Sequence, residues 1–358
     1  MEDFTHSTLL TKPHDLNYSY YTSPSFSQDA AERSKPVLVL VHGFPDDAWM
    51  WAGAIPHLQK QLSLPILAVD LLGFGRSSKP TDPLFYNYRK QADCIAQILD
   101  HEGVKGKRII PIGHDWGSAT SQRFYLYHRH RCIGLVLISL AYQVPTPEPF
   151  DLNKANKVTA KRFGYPQWEY FNFFIAPDAP RLMRDNMERF YDCNHGLFRS
   201  SQPGEEGRDI WMREIFCTPN AMRDYVQSTG RYADFSVDLK PYAKSVAMKK
   251  QCVDRLRRDG MEGPVCYYTS LTNNTMLEDE RELCQTANRK LDCPVLYIGQ
   301  DGDWVCRTDL MSDAKEQGLA PDIEEKAMEA GHWVLYEKPE EVATLVIDWV
   351  RRRFQSSS

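Results

Sequence analysis

The run Gly113-His114-Asp115-Trp116-Gly117 sits between an apolar stretch and a helical pattern. A strand–turn–helix of this kind holds its central side chain on a tight, exposed turn, and in many hydrolases that side chain is a serine nucleophile. Here it is a carboxylate. Asp115 on its own would also serve as an ordinary helix N-cap, so its chemistry depends on what surrounds it. His42-Gly43-Phe44-Pro45 follows a buried strand pattern and offers free backbone N–H groups. The N–H of Phe44, with that of Trp116 after the nucleophile, can form an oxyanion hole. His332 follows Gly331 ahead of the last helix and supplies a base that titrates near neutrality. Asp301 and Asp303, in Gln300-Asp301-Gly302-Asp303, stand where one carboxylate could fix the tautomer of His332. Asp301 reads as part of an Asp-Gly turn, and Asp303, leaving that turn, is the expected partner. His42, Pro45 and Trp116 are expected beside the substrate, with His42 a structural hydrogen-bonder rather than a base.

An aspartate nucleophile selects a reaction. A serine that attacked a saturated carbon would become an ether, which water cannot readily cleave. A carboxylate that attacks the same carbon becomes an ester, which a base-activated water can hydrolyse through an intermediate held by an oxyanion hole. Carboxylate, base and N–H donors together point to displacement at sp3 carbon followed by ester hydrolysis. The carboxylate needs no base of its own, which leaves His332 free for the water step.

These residues need a scaffold. Apolar runs at 36–44, 65–75, 108–115, 133–139 and 293–303 end in turn signals and lack polar alternation, as strands of a parallel sheet buried on both faces do. Helical patterns lie between them, at 88–99 and 116–127, and a last helix is expected over about 340–354. Strand–helix alternation gives an α/β fold with a mostly parallel central sheet. Between about 142 and 291 the texture becomes aromatic-rich and helical without a buried-strand run. The expected organisation is therefore a discontinuous core, 1–141 and 292–358, with a mainly helical cap domain, 142–291, inserted over the carboxyl ends of the strands.

Composition excludes several classes. The 358 residues are 42% hydrophobic and 25% charged, with a net charge of -5, which argues against a nucleic-acid partner. Nine cysteines without a CxxC pair suggest neither a zinc ribbon nor a disulfide scaffold. Gly73 and Gly75 lack the third glycine of a dinucleotide fingerprint. No segment has signal-peptide or membrane-span character, so a cytoplasmic protein with no cofactor and no metal is expected, as a monomer or homodimer.

The motifs His42-Gly43-Phe44-Pro45, the stretch from Asp70 to Pro80 (DLLGFGRSSKP), Gly113-His114-Asp115-Trp116-Gly117 and Gly331-His332-Trp333 resemble those of soluble epoxide hydrolases, in the aspartate-nucleophile branch of the α/β-hydrolases. The resemblance spans nearly the whole chain and is loosest in the cap. It implies two cap tyrosines over the nucleophile. "RFGYPQWEYFNFF" resembles the first cap motif and picks Tyr170, with Tyr165 in reserve. "DGMEGPVCYYTS" resembles the second and picks Tyr268, with Tyr267 in reserve. Two neutral phenols suit an epoxide oxygen leaving as an alkoxide, so a small lipophilic epoxide and water are the implied reactants. The same core motifs occur in haloalkane and fluoroacetate dehalogenases, but Phe44 stands where many of the former carry Asn, and Trp116 where the latter carry Arg. A non-catalytic receptor for a small hydrophobic ligand is the remaining alternative.

Overall fold

The computed structural model describes residues 1–24, 26–27, 35–286 and 288–355. Its main sheet contains β1 Thr5–Thr11, β2 Leu16–Thr22, β3 Val37–Val41, β4 Ile66–Val69, β5 Ile109–His114, β6 Leu135–Ile138, β9 Val295–Gln300 and β10 Ile323–Met328. The strand order is β1-β2-β4-β3-β5-β6-β9-β10. From β4 onward every pairing is parallel, while β1 and β2 extend the sheet antiparallel.

The central strands follow directly from sequence. Val37–Val41 is VLVLV and Leu135–Ile138 is LVLI, and every residue in both is buried. β-branched and aliphatic side chains pack well on both faces of a pleated sheet, and each full burial contributes roughly 1.5–3 kcal/mol. β10 and the hairpin β1–β2 lack such a run. The exposed stretch Glu325-Lys326-Ala327 of β10 and the alternating exposure of β1 are those of sheet edges, where charge and polarity discourage further pairing.

The helices are α1 Ile55–Leu62, α2 Tyr88–His101, α3 Trp116–His128, then between β6 and β9 α4 Leu152–Phe163, α5 Phe171–Phe174, α6 Ala179–Asp185, α7 Met187–His195, α8 Trp211–Phe216, α9 Ala221–Gln227, α10 Val246–Asp259, α11 Cys266–Thr272 and α12 Leu277–Gln285. The same segment contains two-residue strands, β7 Gly196–Leu197 and β8 Asp238–Leu239, which pair with each other. After β9 come α13 Ser312–Glu316, α14 Val334–Glu337 and α15 Pro339–Val350. Helix α3 is buried from Trp116 to Leu126, so it is a central helix and not a surface one. Among the described residues, no helix is long and apolar enough to cross a membrane.

Candidate active site

Asp115 joins β5 to α3 with φ 55° and ψ -121°. A positive φ in a residue with a Cβ costs on the order of 1–3 kcal/mol, and surrounding contacts must hold it there. Two glycines make this possible. A Cβ on Gly117 would lie 2.2 Å from the carbonyl oxygen of Val41, and one on Gly43 would lie 2.5 Å from the Cβ of Asp115. Any side chain at either position would force β3, its following loop and the turn apart.

The loop after β3 presents the Phe44 N–H to Oδ1 of Asp115 at 2.9 Å. Oδ2 faces the other way, 3.6 Å from Nε2 of His332. Nδ1 of His332 donates to Oδ2 of Asp303 at 2.5 Å. The other oxygen of Asp303 accepts from the backbone N–H groups of Val305 at 2.9 Å and Cys306 at 2.7 Å. Asp301 is exposed, and its peptide N–H donates to Met328; its side chain is not part of this chain of bonds. His114 donates from Nε2 to the carbonyl oxygen of His332 at 2.8 Å, which fixes the backbone of the loop carrying the imidazole.

The electrostatics follow from burial set against charge. Burial pushes the carboxyl of Asp115 up, against the opposing pull of His332 and the N–H groups of Phe44 and Trp116, and leaves it above the usual carboxylate range. Burial likewise penalises the imidazolium of His332, but the charge and hydrogen bond of Asp303, helped by Asp115, outweigh it and hold His332 above its ordinary value. Asp303 is fully buried, yet His332 and two amides bring it below the usual range. The three atoms that could bind a metal in Asp303, Cys306 and His332 lie within 4.8 Å of one another. The chemistry does not fit an ion. Two ligand atoms on one zinc would lie about 3 Å or more apart, whereas those of Asp303 and His332 share a proton at 2.5 Å, and burial keeps the Cys306 thiol protonated.

The four tyrosines separate by their hydroxyl partners. Tyr165 donates to the carbonyl oxygen of Trp304 at 2.9 Å and accepts from Arg307 at 3.0 Å. Tyr267 is fully buried and donates to Gln91 at 2.8 Å. The structure thus commits both reserve tyrosines elsewhere. Neither Tyr170 nor Tyr268 donates its hydroxyl proton to an acceptor among the described residues. Their ring centroids are 5.8 Å apart, and the Tyr268 ring lies 5.2 Å from Trp116 and 5.1 Å from Phe44. Burial, with the charge of Asp115 nearby, pushes both phenols well above their ordinary value, so they are neutral donors at any pH near neutrality.

His42 donates from Nδ1 to Gly43 and accepts at Nε2 from the Leu71 N–H, both at 2.9 Å. Burial lowers its pKa to about 4. With both nitrogens engaged by backbone, it ties two loops and has nothing left to offer a substrate. The carbonyl oxygen of Pro45 accepts from Arg255 at 3.0 Å. A cavity of about 570 Å³ opens beside Asp115, lined by Asp115, Trp116 and Tyr170; His42, Pro45 and Tyr268 are not among its lining residues, and Tyr268 reaches the site through its ring contacts with Trp116 and Tyr170. The cavity also reaches Tyr88, Arg123 and Glu280, which the motifs did not indicate. The available signal was a charged residue, Arg123, on an otherwise uncharged stretch of α3, since a buried cation requires a partner.

A parallel sheet with a strained acidic turn after β5 and a His–Asp pair at the later loops defines a hydrolase of the α/β class. The chain belongs to the alpha/beta hydrolase fold family, whose model matches residues 36–339. It is 23% identical over 353 residues to bifunctional epoxide hydrolase 2 of Rattus norvegicus, covering 97% of this chain and 57% of that protein. The chain therefore spans a little over half the length of that relative. It is also 23% identical over 336 residues to epoxide hydrolase B of Mycobacterium tuberculosis, covering 89% of this chain and 92% of the other. In fold it is similar to the crystal structure of epoxide hydrolase A from Mycobacterium thermoresistibile, with a TM-score of 0.73, 21% identity, and coverage of 97% and 98% of the two chains.

Proposed function

We propose that this protein hydrolyses epoxides to vicinal diols through an ester on Asp115. The observation that carries the reading is the division of labour around one carboxylate. Oδ1 is held by the Phe44 N–H, Oδ2 is left facing His332, and two phenols without acceptors pack above. The relatives named above are epoxide hydrolases, which supports the same assignment.

In this reading Oδ2 attacks an epoxide carbon and the carbon–oxygen bond of the ring breaks. The departing oxygen takes a proton from Tyr170 or Tyr268. The ester carbonyl is then Oδ1, already seated against N–H donors. His332 takes a proton from water at Nε2, and the resulting hydroxide adds to the carboxyl carbon of Asp115. The tetrahedral oxyanion forms on Oδ1 with the N–H groups of Phe44 and Trp116 as donors. Its collapse expels the diol oxygen, which takes the proton back from His332; the water oxygen remains on Asp115 as a carboxyl, and that carboxyl's proton returns to the tyrosinate, restoring both groups. Esterification also removes the Asp115 charge, one of the influences that raise His332, and so favours the neutral imidazole at the step that needs a base. Helices of 142–291 act as the cap, contributing both tyrosines and excluding bulk water.

The phenol pair favours this reaction over dehalogenation, because a halide leaves without a proton. Incubation with racemic styrene oxide and, separately, with a primary alkyl bromide and fluoroacetate tests the choice. Diol from the epoxide with no halide release is expected. Halide release without diol would make the protein a dehalogenase, and turnover of neither would return the receptor reading.

A further inference from the structure

The far wall of the cavity is unusual for a pocket that takes a lipophilic molecule. Arg123 of α3 and Glu280 of α12 line it as a two-pronged ion pair, Nε to Oε1 at 2.7 Å and Nη2 to Oε2 at 2.8 Å. The side chains are only 4% and 12% exposed. Nη1 of Arg123 donates to the carbonyl oxygen of Gln143 at 2.8 Å and to Gln122 at 3.3 Å. A guanidinium has five N–H donors. These four bonds use four, and among the described residues nothing accepts the fifth, the second proton on Nη2. Each Glu280 oxygen takes one bond from Arg123 and retains lone pairs. The guanidinium lies over the Tyr88 ring at 5.6 Å, and that ring is 6.2 Å from Trp116. One wall thus runs from the nucleophile to the ion pair, with the apolar Leu140, Val144 and Met276 also facing the cavity.

We propose that the Arg123–Glu280 pair is a recognition site for a neutral hydroxyl on the substrate, remote from the epoxide and joined to it by an apolar chain. This rests on the epoxide-hydrolysing reading of Asp115 and names its substrate class. The pair is electrically balanced and largely buried, so an ionised end group is attracted by one member, repelled by the other, and gives up its hydration without a compensating partner. A hydroxyl both accepts from the spare N–H and donates to a carboxylate lone pair. Arg123 stands eight residues beyond Asp115 on α3, about 12 Å along the axis. Its side chain leans back toward the helix N-terminus, so the hydroxyl sits within about 12 Å of the reacting carbon.

The test compares three ten-carbon terminal epoxides that end in methyl, hydroxyl and carboxylate. With the unaltered protein, kcat/KM is expected to favour the hydroxyl end over the methyl end by about tenfold, the scale of one hydrogen bond to a charged group, with the carboxylate lowest. In the double variant Arg123→Met/Glu280→Met, which removes both charges together, the hydroxyl-to-methyl ratio should fall to one or below. The ratio does not depend on how much of the variant is folded. A ratio at or below one in the unaltered protein, or one that survives the double change, overturns the proposal. Calorimetry with the three corresponding inert diols gives the same comparison without turnover. If no epoxide is opened but the hydroxyl-ended diol still binds most tightly, the polar site stands and the reaction assigned to Asp115 fails.

Discussion

Replacing Asp303 by asparagine should stop the enzyme halfway, and the geometry says why. One oxygen of Asp303 accepts two backbone N–H groups, from Val305 and Cys306. In Asp303→Asn only the amide oxygen can take that place, so the amide NH2 must face Nδ1 of His332. A donor facing Nδ1 forces the imidazole into the tautomer with its proton on Nε2. Nε2 then points a hydrogen at the site of the attacking water and cannot accept one. A reversed tautomer of this kind costs about 10⁴ in kcat, or roughly 5.4 kcal/mol of barrier. Alkylation of Asp115 uses no base and should survive. Stopped-flow mixing with styrene oxide should therefore give a burst of one equivalent per site followed by a steady rate about four orders of magnitude below that of the unaltered protein. Intact-mass measurement should find the protein heavier by one substrate. Asp301→Asn, at an exposed residue, should stay within about twofold of the unaltered rate. A folded Asp303→Asn protein that turns over normally, or that never carries the adduct, would refute the tautomer argument; so would a severe loss in Asp301→Asn instead.

Other outcomes are fixed by the same contacts. Tyr170→Phe or Tyr268→Phe should each slow alkylation by roughly 10–100-fold, and the pair together should nearly abolish it, while decay of a preformed ester stays within about twofold; single-turnover quench measurements separate the two steps. Tyr165→Phe and Tyr267→Phe should instead cost about 1 kcal/mol of stability each through the lost bonds, read from denaturant midpoints, with ring-opening rates nearly unchanged. The pH dependence has a definite sign. Asp115, raised by burial, must be ionised to attack, and His332, held up by Asp303, must be neutral to take a proton from water. Both steps therefore slow as pH falls through neutrality toward the acid range, and a rate that rose on acidification would contradict the assignment of both residues.

How far the chain could be read from its sequence depended on whether the information was local. The buried central strands and α3 are continuous patterns, and Asp115 and His332 sit in short motifs whose backbone geometry is set by near neighbours such as Gly117. Edge strands escaped because β1 and β10 carry polar and charged residues that look like loops. Asp301 and Asp303 were nearly equivalent as letters. They separate in space because only the second turns inward, to two amides and an imidazole. Tyr165 and Tyr267 could not be told from Tyr170 and Tyr268 without their partners, Trp304 and Gln91. The motif letters of His42 and Pro45 do not show that their polar atoms hold the loops, through the Leu71 N–H and Arg255. The ion pair in the cavity joins residues 157 apart in sequence, and no local pattern encodes such a meeting.

The central claim is that a carboxylate oxygen of Asp115 forms the new bond to carbon. Isotope labelling tests it most directly. A single turnover in heavy-oxygen water, with enzyme in excess over styrene oxide, is followed by mass spectrometry of the diol and of the tryptic peptide containing Asp115. Attack by Asp115 predicts an unlabelled first diol and a labelled peptide, because water adds to the ester carbonyl and its oxygen stays behind on the aspartate. Label in the first diol with none in the peptide would mean that water opens the epoxide itself and that Asp115 is at most its base.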